Sequence, residues 1–225
     1  MNPILNKKLS EVYRKLYHRY GPQNWWPGDG PFEVIIGAIL TQSVSWRNVE
    51  KAISNLKAEQ VLSPHALRKI DNETLGELIK PSLYFNNKAL KIKAFLCYSE
   101  KYDDNLPCMF AQSTEVLRSE LLSIYGIGEE TADDILLYAA KKPIFVIDSY
   151  TRRIFQRLHL APHLQTYTAY QDLFHSGLRP NSDMYGEYHA LIDQHGAEIC
   201  RKNPICNQCC LINLCPTGQS NTATI

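Results

Sequence analysis

The sequence predicts an all-α protein on three grounds. Segments in which apolar residues recur every three or four positions cover most of the 225 residues. Runs that alternate apolar and polar residues, as half-buried strands do, are scarce. The connectors are short, and the chain contains neither repeats nor low-complexity stretches. With 44% apolar residues it can bury a sizeable core, either as one large domain or as two lobes that share a cleft.

The helices are predicted in order from their patterns. Residues 4–19 place apolar side chains near one face, and a Gly- and Pro-rich loop with two adjacent tryptophans follows at 21–31. Residues 31–42 are apolar almost all round, as in a helix buried at the centre of a fold. The run at 144–147 is too short to assign, and the tail after Thr217 is expected to be disordered. Further helices are predicted at about 45–57, 64–69, 73–80, 86–101, 114–123, 130–141, 149–158, 166–176 and 184–200.

The overall charge does not indicate a class of partner. Lys and Arg number 24 and Asp and Glu 23, which gives a net charge of +1, so a DNA partner has to be argued from local patches. The N-terminus lacks the apolar core of a signal peptide, and no apolar run approaches the roughly 20 residues that cross a bilayer. We therefore expect a cytoplasmic protein without a membrane partner.

A cluster of cysteines near the C-terminus predicts a metal centre. Compact thiolate loops hold either a cubane iron–sulfur cluster or a tetrahedral zinc ion, and the spacing alone does not separate the two. Cys210 adjoins one of the candidate ligands, Cys209, and could take its place. Four cysteines have five, two and five residues between them, namely Cys200, Cys206, Cys209 and Cys215.

Residues 121–139 predict two helices joined by a tight turn. The turn contains Gly126, Ile127 and Gly128, and glycine permits positive φ and a close approach of another backbone. The second helix begins at once, so its free N–H groups and the positive end of its dipole point out of the turn. Such a turn suits a DNA phosphate, and a monovalent cation could share the site. The alternative is a tight turn between helices that binds nothing.

An aspartate follows this hairpin at a characteristic distance. Asp148 lies twenty residues after Gly128, past an apolar helix. With this hairpin and this aspartate, the sequence resembles the helix-hairpin-helix superfamily of DNA glycosylases. The resemblance implies that the hairpin grips the DNA backbone and that Asp148 serves cleavage of the glycosidic bond. Asp148 is also a favoured N-cap for a helix starting at Ser149, and both roles are compatible.

The cysteines extend the resemblance to endonuclease III and its relatives. Those enzymes carry a [4Fe–4S] cluster on a loop of this layout, just after a helix that contains His-Gly, as His195-Gly196 here. The resemblance implies a structural cluster, although the first gap is one residue shorter than the commonest family spacing. The implied ligands are Cys200, Cys206, Cys209 and Cys215.

The position two after the second hairpin glycine distinguishes subgroups of these enzymes. Bifunctional members have a lysine there, whose amine attacks the sugar C1′ and forms a Schiff base. This sequence has Glu130, which cannot form that imine. The resemblance therefore implies a monofunctional enzyme with Glu130 in its active site. The alternative is that Glu130 is simply an acid in the first turn of a helix, where the dipole favours it.

Three tryptophans make the resemblance more specific. The patterns N-W-W-P-G and L-T-Q-x-x-x-aromatic are similar to those of the 3-methyladenine and alkylpurine branch, in which two aromatic rings sandwich the flipped base. They point to Trp26 and Trp46, with Trp25 as a substitute. Alkylated purines carry a positive charge, so each indole face would attract them by about 0.5–2 kcal/mol. The alternative is a tryptophan lid over a core.

Two further residues match positions that fill the space left by a flipped base. Gln42 aligns with a glutamine that enters this space, and Tyr84 lies where relatives place a wedge. Alternatively, Gln42 could cap its helix and Tyr84 could belong to the core. A local basic strip for phosphates is predicted at Asn86, Lys88, Lys91 and Lys93.

These observations together predict a monomeric, monofunctional DNA glycosylase of base excision repair. It would bind double-stranded DNA and hydrolytically remove an alkylated purine of the 3-methyladenine or 7-methylguanine type. The resemblance implies a six-helix barrel-type domain at 31–143 with the hairpin at about 121–140, and a second lobe formed by 1–30 and 144–225 with the cluster loop at 200–215. One alternative is an endonuclease III-like glycosylase for oxidised, deaminated or mismatched bases, with or without AP lyase activity. Another is a non-catalytic DNA-binding iron–sulfur module.

Overall fold

A computed structural model describes residues 3–223 of the chain. Helices make up its regular structure and no strand occurs within that range, so the predicted all-α class is confirmed. The chain divides into two compact units. One unit contains Trp26–Lys142, and the other contains the N-terminal residues up to Trp25 together with the chain from Pro143 onward. No helix among the described residues is long and apolar enough to cross a membrane.

Thirteen α-helices are present in the described part of the chain. The predicted helices at 64–69 and 114–123 are reproduced residue for residue, whereas the helix predicted at 130–141 is an α-helix that continues as a π-helical turn over Ile135–Ala139. The tail expected to be disordered instead contains the last helix. The helices are α1 (Pro3–Tyr20), α2 (Pro31–Leu40), α3 (Trp46–Ala58), α4 (Pro64–Lys69), α5 (Asn72–Leu78), α6 (Phe85–Ser99), α7 (Leu106–Phe110), α8 (Thr114–Ser123), α9 (Glu129–Asp134), α10 (Ser149–Arg157), α11 (Tyr167–Gly177), α12 (Ser182–Glu198) and α13 (Pro216–Ala223).

Local capping explains where many of these helices begin. In each case a short polar side chain accepts a hydrogen bond from the main-chain N–H three residues further on, which satisfies one of the free donors of the first turn. Because this interaction spans only four residues, it can be read from the sequence. Within residues 3–223 the residues that cap in this way are Ser63, Asp71, Asn105, Ser113, Asp148, Thr166 and Asn181.

Helix α2 forms the core of the unit Trp26–Lys142. Every residue of Val34–Leu40 is buried, and α2 packs against α3, α6 and the π-helical turn. Gly37 lets the indole of Trp26 lie directly on the helix, since a Cβ at this position would be 3.0 Å from the indole Nε1. The nearly all-apolar pattern of α2 is therefore explained by contacts on every side.

The other unit is organised around α12. Helix α10 packs tightly against it at Gly196, where a Cβ would lie 2.6 Å from the ring of Tyr150. Helix α1 packs on α12 and α11, and the Tyr188 hydroxyl donates to the Leu9 carbonyl at 2.9 Å. This packing holds α10, α12 and the cysteine loop together in one unit, with Asp148 at the start of α10.

Candidate active site

The hairpin between α8 and α9 has two glycines with different structural roles. Gly126 has a φ of +79°, and a Cβ built on it would lie 2.4–2.6 Å from the side-chain carbons of Lys91. Gly128 has a φ of −95° and no atom within 4 Å of such a Cβ. Ile127 between them is buried. Gly126 is therefore required by the fold, whereas Gly128 leaves open space where α9 begins.

Gln42 is bound to this hairpin through its side chain. Its Nε2 donates to the Gly126 carbonyl at 3.0 Å and to Thr131 Oγ1 at 2.9 Å, and its Oε1 accepts from Lys91 Nζ. The alternative that Gln42 caps its own helix is wrong, because Thr41 Oγ1 makes that bond to the Gly37 carbonyl. The structure thus brings two predicted site residues, Gln42 and Gly126, into direct contact.

Trp26 and Trp46 lie next to each other in the same unit. Their ring centroids are 5.3 Å apart at an interplanar angle of 88°, and Tyr138 lies 5.4 Å from Trp26 on another side. The two indoles border an open groove of about 410 Å³ that Glu33 and Glu50 also line. A flat base sandwiched between two rings needs them about 7 Å apart and parallel, so one indole would have to rotate to admit it. The sandwich stays a prediction, and the substitute Trp25 belongs to the other unit.

Glu130 and Tyr84 are both exposed. Glu130 lies in the first turn of α9, where the helix dipole favours a carboxylate. Tyr84 is 68% exposed, so the alternative that it belongs to the core is wrong. It and Leu83, which is 50% exposed, have φ values of +45° and +57° at the start of α6. Two consecutive apolar residues held outward in the left-handed region suit a wedge, because such backbone strain is common at functional sites.

The predicted basic strip beside Tyr84 is corrected by the structure. Lys88 is only 2% exposed, and its amine donates to the carbonyls of Leu40 and Ser82, so it cannot meet a phosphate. Burial lowers the pKa of Lys88 to about 8. The amine of Lys93 is also engaged, with carbonyls at the end of α4. These lysines serve to satisfy main-chain carbonyls, which is a role that their spacing in the sequence did not reveal.

Asp148 caps α10 with one carboxylate oxygen and leaves the other available. Its Oδ1 accepts from the Thr151 N–H at 2.6 Å, and its side chain is largely buried, with 8% exposure. No described residue donates a hydrogen bond to Oδ2. The capping and catalytic interpretations therefore need not compete, because they use different oxygens.

Two residues of α12, His189 and Asp193, are close enough to Asp148 to feel its charge, and the sequence analysis missed both. Burial, and secondarily the charge of Asp148, raise the pKa of Asp193 to about 7. Burial lowers the pKa of His189, and the charge of Asp148 partly opposes this effect. His189 and Asp193 are four residues apart and so lie on one side of the helix, which is the only signal that could have identified them. A buried acid with a strongly shifted pKa is typical of functional sites.

The four predicted cysteine ligands line one small cavity of about 20 Å³. A nitrogen within hydrogen-bonding distance lies beside each of the four sulfurs. Arg157 Nη1 is 3.2 Å from Cys200 Sγ, and Gly218 N is 3.3 Å from Cys215 Sγ. His195 Nε2 is 3.4 Å from Cys209 Sγ, and Asn221 Nδ2 is 3.7 Å from Cys206 Sγ. Among residues 3–223, no three His, Cys, Asp or Glu side chains converge in a way that would hold a single metal ion. Cys210 does not line this cavity and instead borders a separate pocket against α1.

Comparisons with known proteins identify the family of this chain. The family described as "HhH-GPD superfamily base excision DNA repair protein" matches residues 36–180. The chain is 42% identical over 209 residues to a protein of Methanocaldococcus jannaschii named "Putative DNA repair glycosylase", with 92% of this chain and 95% of that protein covered. It is 32% identical over 209 residues to endonuclease III of Thermotoga maritima, with 92% of each chain covered.

A solved structure extends the likeness to three dimensions. The 3-methyladenine DNA glycosylase of H. pylori bound to 1,N6-ethenoadenine matches with a TM-score of 0.71 at 26% identity, over 84% of this chain and 94% of that one. The hairpin, the aspartate that follows it and the whole-chain likeness to relatives point to the same conclusion. The chain belongs to the HhH-GPD superfamily of base excision DNA repair proteins and is a DNA glycosylase of the endonuclease III class.

Proposed function

We propose that this glycosylase removes alkylated purines of the 3-methyladenine or 7-methylguanine type and leaves the DNA strand intact. The observation that carries the proposal is the aromatic cluster of Trp26 and Trp46, whose indoles border an open groove, with the buried ring of Tyr138 packed against Trp26. The similarity to a 3-methyladenine DNA glycosylase supports the same substrate class.

The chemistry of the substrate fits this aromatic cluster. A purine alkylated at N3 or N7 is cationic, so an indole face attracts it by about 0.5–2 kcal/mol more than it attracts a neutral base. The same groove is lined by Asp29, Glu33 and Glu50 against one cation, Lys57, which pairs with the first two. The net negative charge that remains favours a cationic base further. The charge also makes the base a good leaving group, so the enzyme needs little acid catalysis at the base.

Asp148 is the proposed catalytic residue. Its free Oδ2 would stabilise the positive charge that develops on the sugar as the C1′–N bond breaks and its electron pair leaves with the base. A water oxygen then bonds to C1′, and the water proton passes to Asp148. Because Glu130 stands where a bifunctional enzyme has lysine, no imine forms at that position.

Main-chain groups of the hairpin would bind a DNA phosphate, and exposed Tyr84 would fill the gap in the base stack. Flipping a base costs a few kcal/mol, which such a wedge offsets by stacking. Gln42 is held by Lys91 and the hairpin, which supports a role for it at the same gap. A monovalent cation at the hairpin stays a prediction.

The cysteine loop fits a [4Fe–4S] cluster better than zinc. The four sulfurs border a cavity and do not converge on one point, and hydrogen-bonding groups lie within reach of them, as is usual around cluster ligands. Bound there, the cluster would cross-link the segment between α12 and α13, which Arg157 of α10 also holds through hydrogen bonds to the carbonyls of Cys200, Arg201 and Lys202. It would act as a structural brace. The proposed ligands are Cys200, Cys206, Cys209 and Cys215.

The decisive experiment measures base release and strand scission side by side on duplexes that each carry one lesion. We expect release of 3-methyladenine and 7-methylguanine without scission. Asp148→Asn should lower the single-turnover rate about 10²–10⁴-fold while DNA affinity and stability stay nearly unchanged, because asparagine caps a helix as well as aspartate does. Release of only oxidised or deaminated bases would reject the substrate class. Excision by Asp148→Asn at the wild-type rate would reject the role of Asp148.

A further inference from the structure

Helix α1 concentrates positive charge in a chain that is nearly neutral overall. The helix contains five Lys and Arg residues against one acid, Glu11, whereas the whole chain has a net charge of only +1. Buried Leu9, Val12 and Leu16 turn one side of the helix inward. The C-terminal half of the helix places three cations outside this buried face together with a histidine, namely Arg14, Lys15, His18 and Arg19.

These four residues border one open pocket of about 370 Å³, together with Cys210 of the cysteine loop. We call this set of five residues the α1 pocket. Arg14, His18 and Arg19 are exposed and Lys15 is half-buried. The pocket lies entirely within one unit of the fold, so its shape is set by the packing of α1 and the cysteine loop.

The cations of the α1 pocket lie close together without the ion pairs that some other cations of this protein form. Elsewhere Lys57, Arg68 and Arg118 each form ion pairs with two carboxylates. Within residues 3–223, none of the three Lys and Arg residues of the α1 pocket forms such a pair. Like charges placed together repel, so an unneutralised group of this kind is stabilised when an anion binds.

We propose that the α1 pocket binds backbone phosphates of duplex DNA, as a second DNA contact separate from the hairpin. A phosphate is the anion for which Arg and Lys side chains are best suited, and a DNA glycosylase meets a dense row of them. Successive phosphates on one strand are spaced closely enough for the pairs Arg14–Lys15 and His18–Arg19 to contact neighbouring groups. The proposal rests on the chain being a DNA glycosylase and is independent of which base it removes.

The test compares two double variants with the same change in charge on the same helix. Arg14→Gln/Lys15→Gln removes two cations of the α1 pocket, and Lys7→Gln/Lys8→Gln removes two exposed cations of α1 outside it. The second pair lies about 10 Å further along the helix, roughly one Debye length away at physiological salt. Affinity for an undamaged duplex is measured at several salt concentrations with the cluster-loaded, full-length protein.

Each lost phosphate contact reduces the magnitude of the slope of log K, the DNA association constant, against log salt concentration by about 0.9. For Arg14→Gln/Lys15→Gln the magnitude of this slope should therefore fall by up to about 1.8. The Lys7/Lys8 variant should keep the wild-type slope. Single-turnover excision at saturating enzyme should be unchanged in both, which separates this proposal from the assignment of the lesion. Equal slopes in all three proteins, or equal losses in both variants, would overturn the proposal. If the α1 pocket instead binds free phosphate or an acidic protein, the slopes of all three proteins should be equal.

Discussion

Gly126→Ala tests whether the hairpin is built around Lys91. A Cβ at Gly126 would lie 2.4 Å from Lys91 Cγ and 2.6 Å from both Cδ and Cε, and the φ of +79° is unfavourable for any other residue. Gly128 offers a matched control, because its φ of −95° suits alanine and the space around it is open. We predict that the first substitution destabilises the protein and that the second does not.

The magnitude can be estimated from three contributions. An alanine in the left-handed region costs roughly 1–2 kcal/mol, and moving Lys91 aside removes its hydrogen bond to Gln42 at a cost of about 1 kcal/mol. Replacing glycine lowers the entropy of the unfolded chain, which returns roughly 0.4–1 kcal/mol. Gly126→Ala should therefore cost about 2 kcal/mol, whereas Gly128→Ala should gain a few tenths.

Thermal unfolding followed by circular dichroism is a direct assay for both variants. For a chain of this size, 1 kcal/mol corresponds to about 2–4 °C, so the melting temperature of Gly126→Ala should fall by about 4–8 °C. That of Gly128→Ala should stay the same or rise slightly. The account of the Lys91 contact would be refuted if Gly126→Ala had the melting temperature of the wild type. It would also be refuted if the two variants lost the same amount of melting temperature.

Four other side chains give predictions of their own. Lys88→Met should lower the free energy of unfolding by about 1–3 kcal/mol, because two buried carbonyls lose their donor. It should leave the salt dependence of DNA binding unchanged. A weaker salt dependence in the variant would indicate that Lys88 contacts a DNA phosphate after all. Since the pKa of Asp193 is raised to about 7, the folded protein keeps a proton that the unfolded chain loses near pH 4. The free energy of unfolding should therefore fall as the pH rises from about 4 to 7, and Asp193→Asn should remove this loss. If denaturant titrations gave the same pH dependence for the wild type and for Asp193→Asn, the raised pKa of Asp193 would be excluded as its cause. Cys209→Ala should abolish bound iron and visible absorbance while Cys210→Ala keeps both, and loss in both variants would reject the ligand assignment.

The sequence by itself determined the helical class, many of the helix starts and the motifs of the site. Capping residues such as Ser63 and Ser113 act on an N–H only three positions away, and the hairpin glycines act on their own backbone, so their effects are local. The Asp148 position could likewise be read from its distance to the hairpin and from its value as a cap. Local patterns of this kind do not depend on what the rest of the chain does.

Only the tertiary structure decided which of several similar side chains takes each role. Lys88 is buried because its amine reaches a carbonyl 48 residues earlier, and no local pattern distinguishes it from an exposed lysine. Cys209 and Cys210 are adjacent in sequence, yet only the first lines the cysteine cavity. The closeness of Asp193 to Asp148 depends in the same way on the packing of α12 against α10. Burial and electrostatic environment are properties of residues brought together from distant parts of the chain, and so they exist only once the chain has folded.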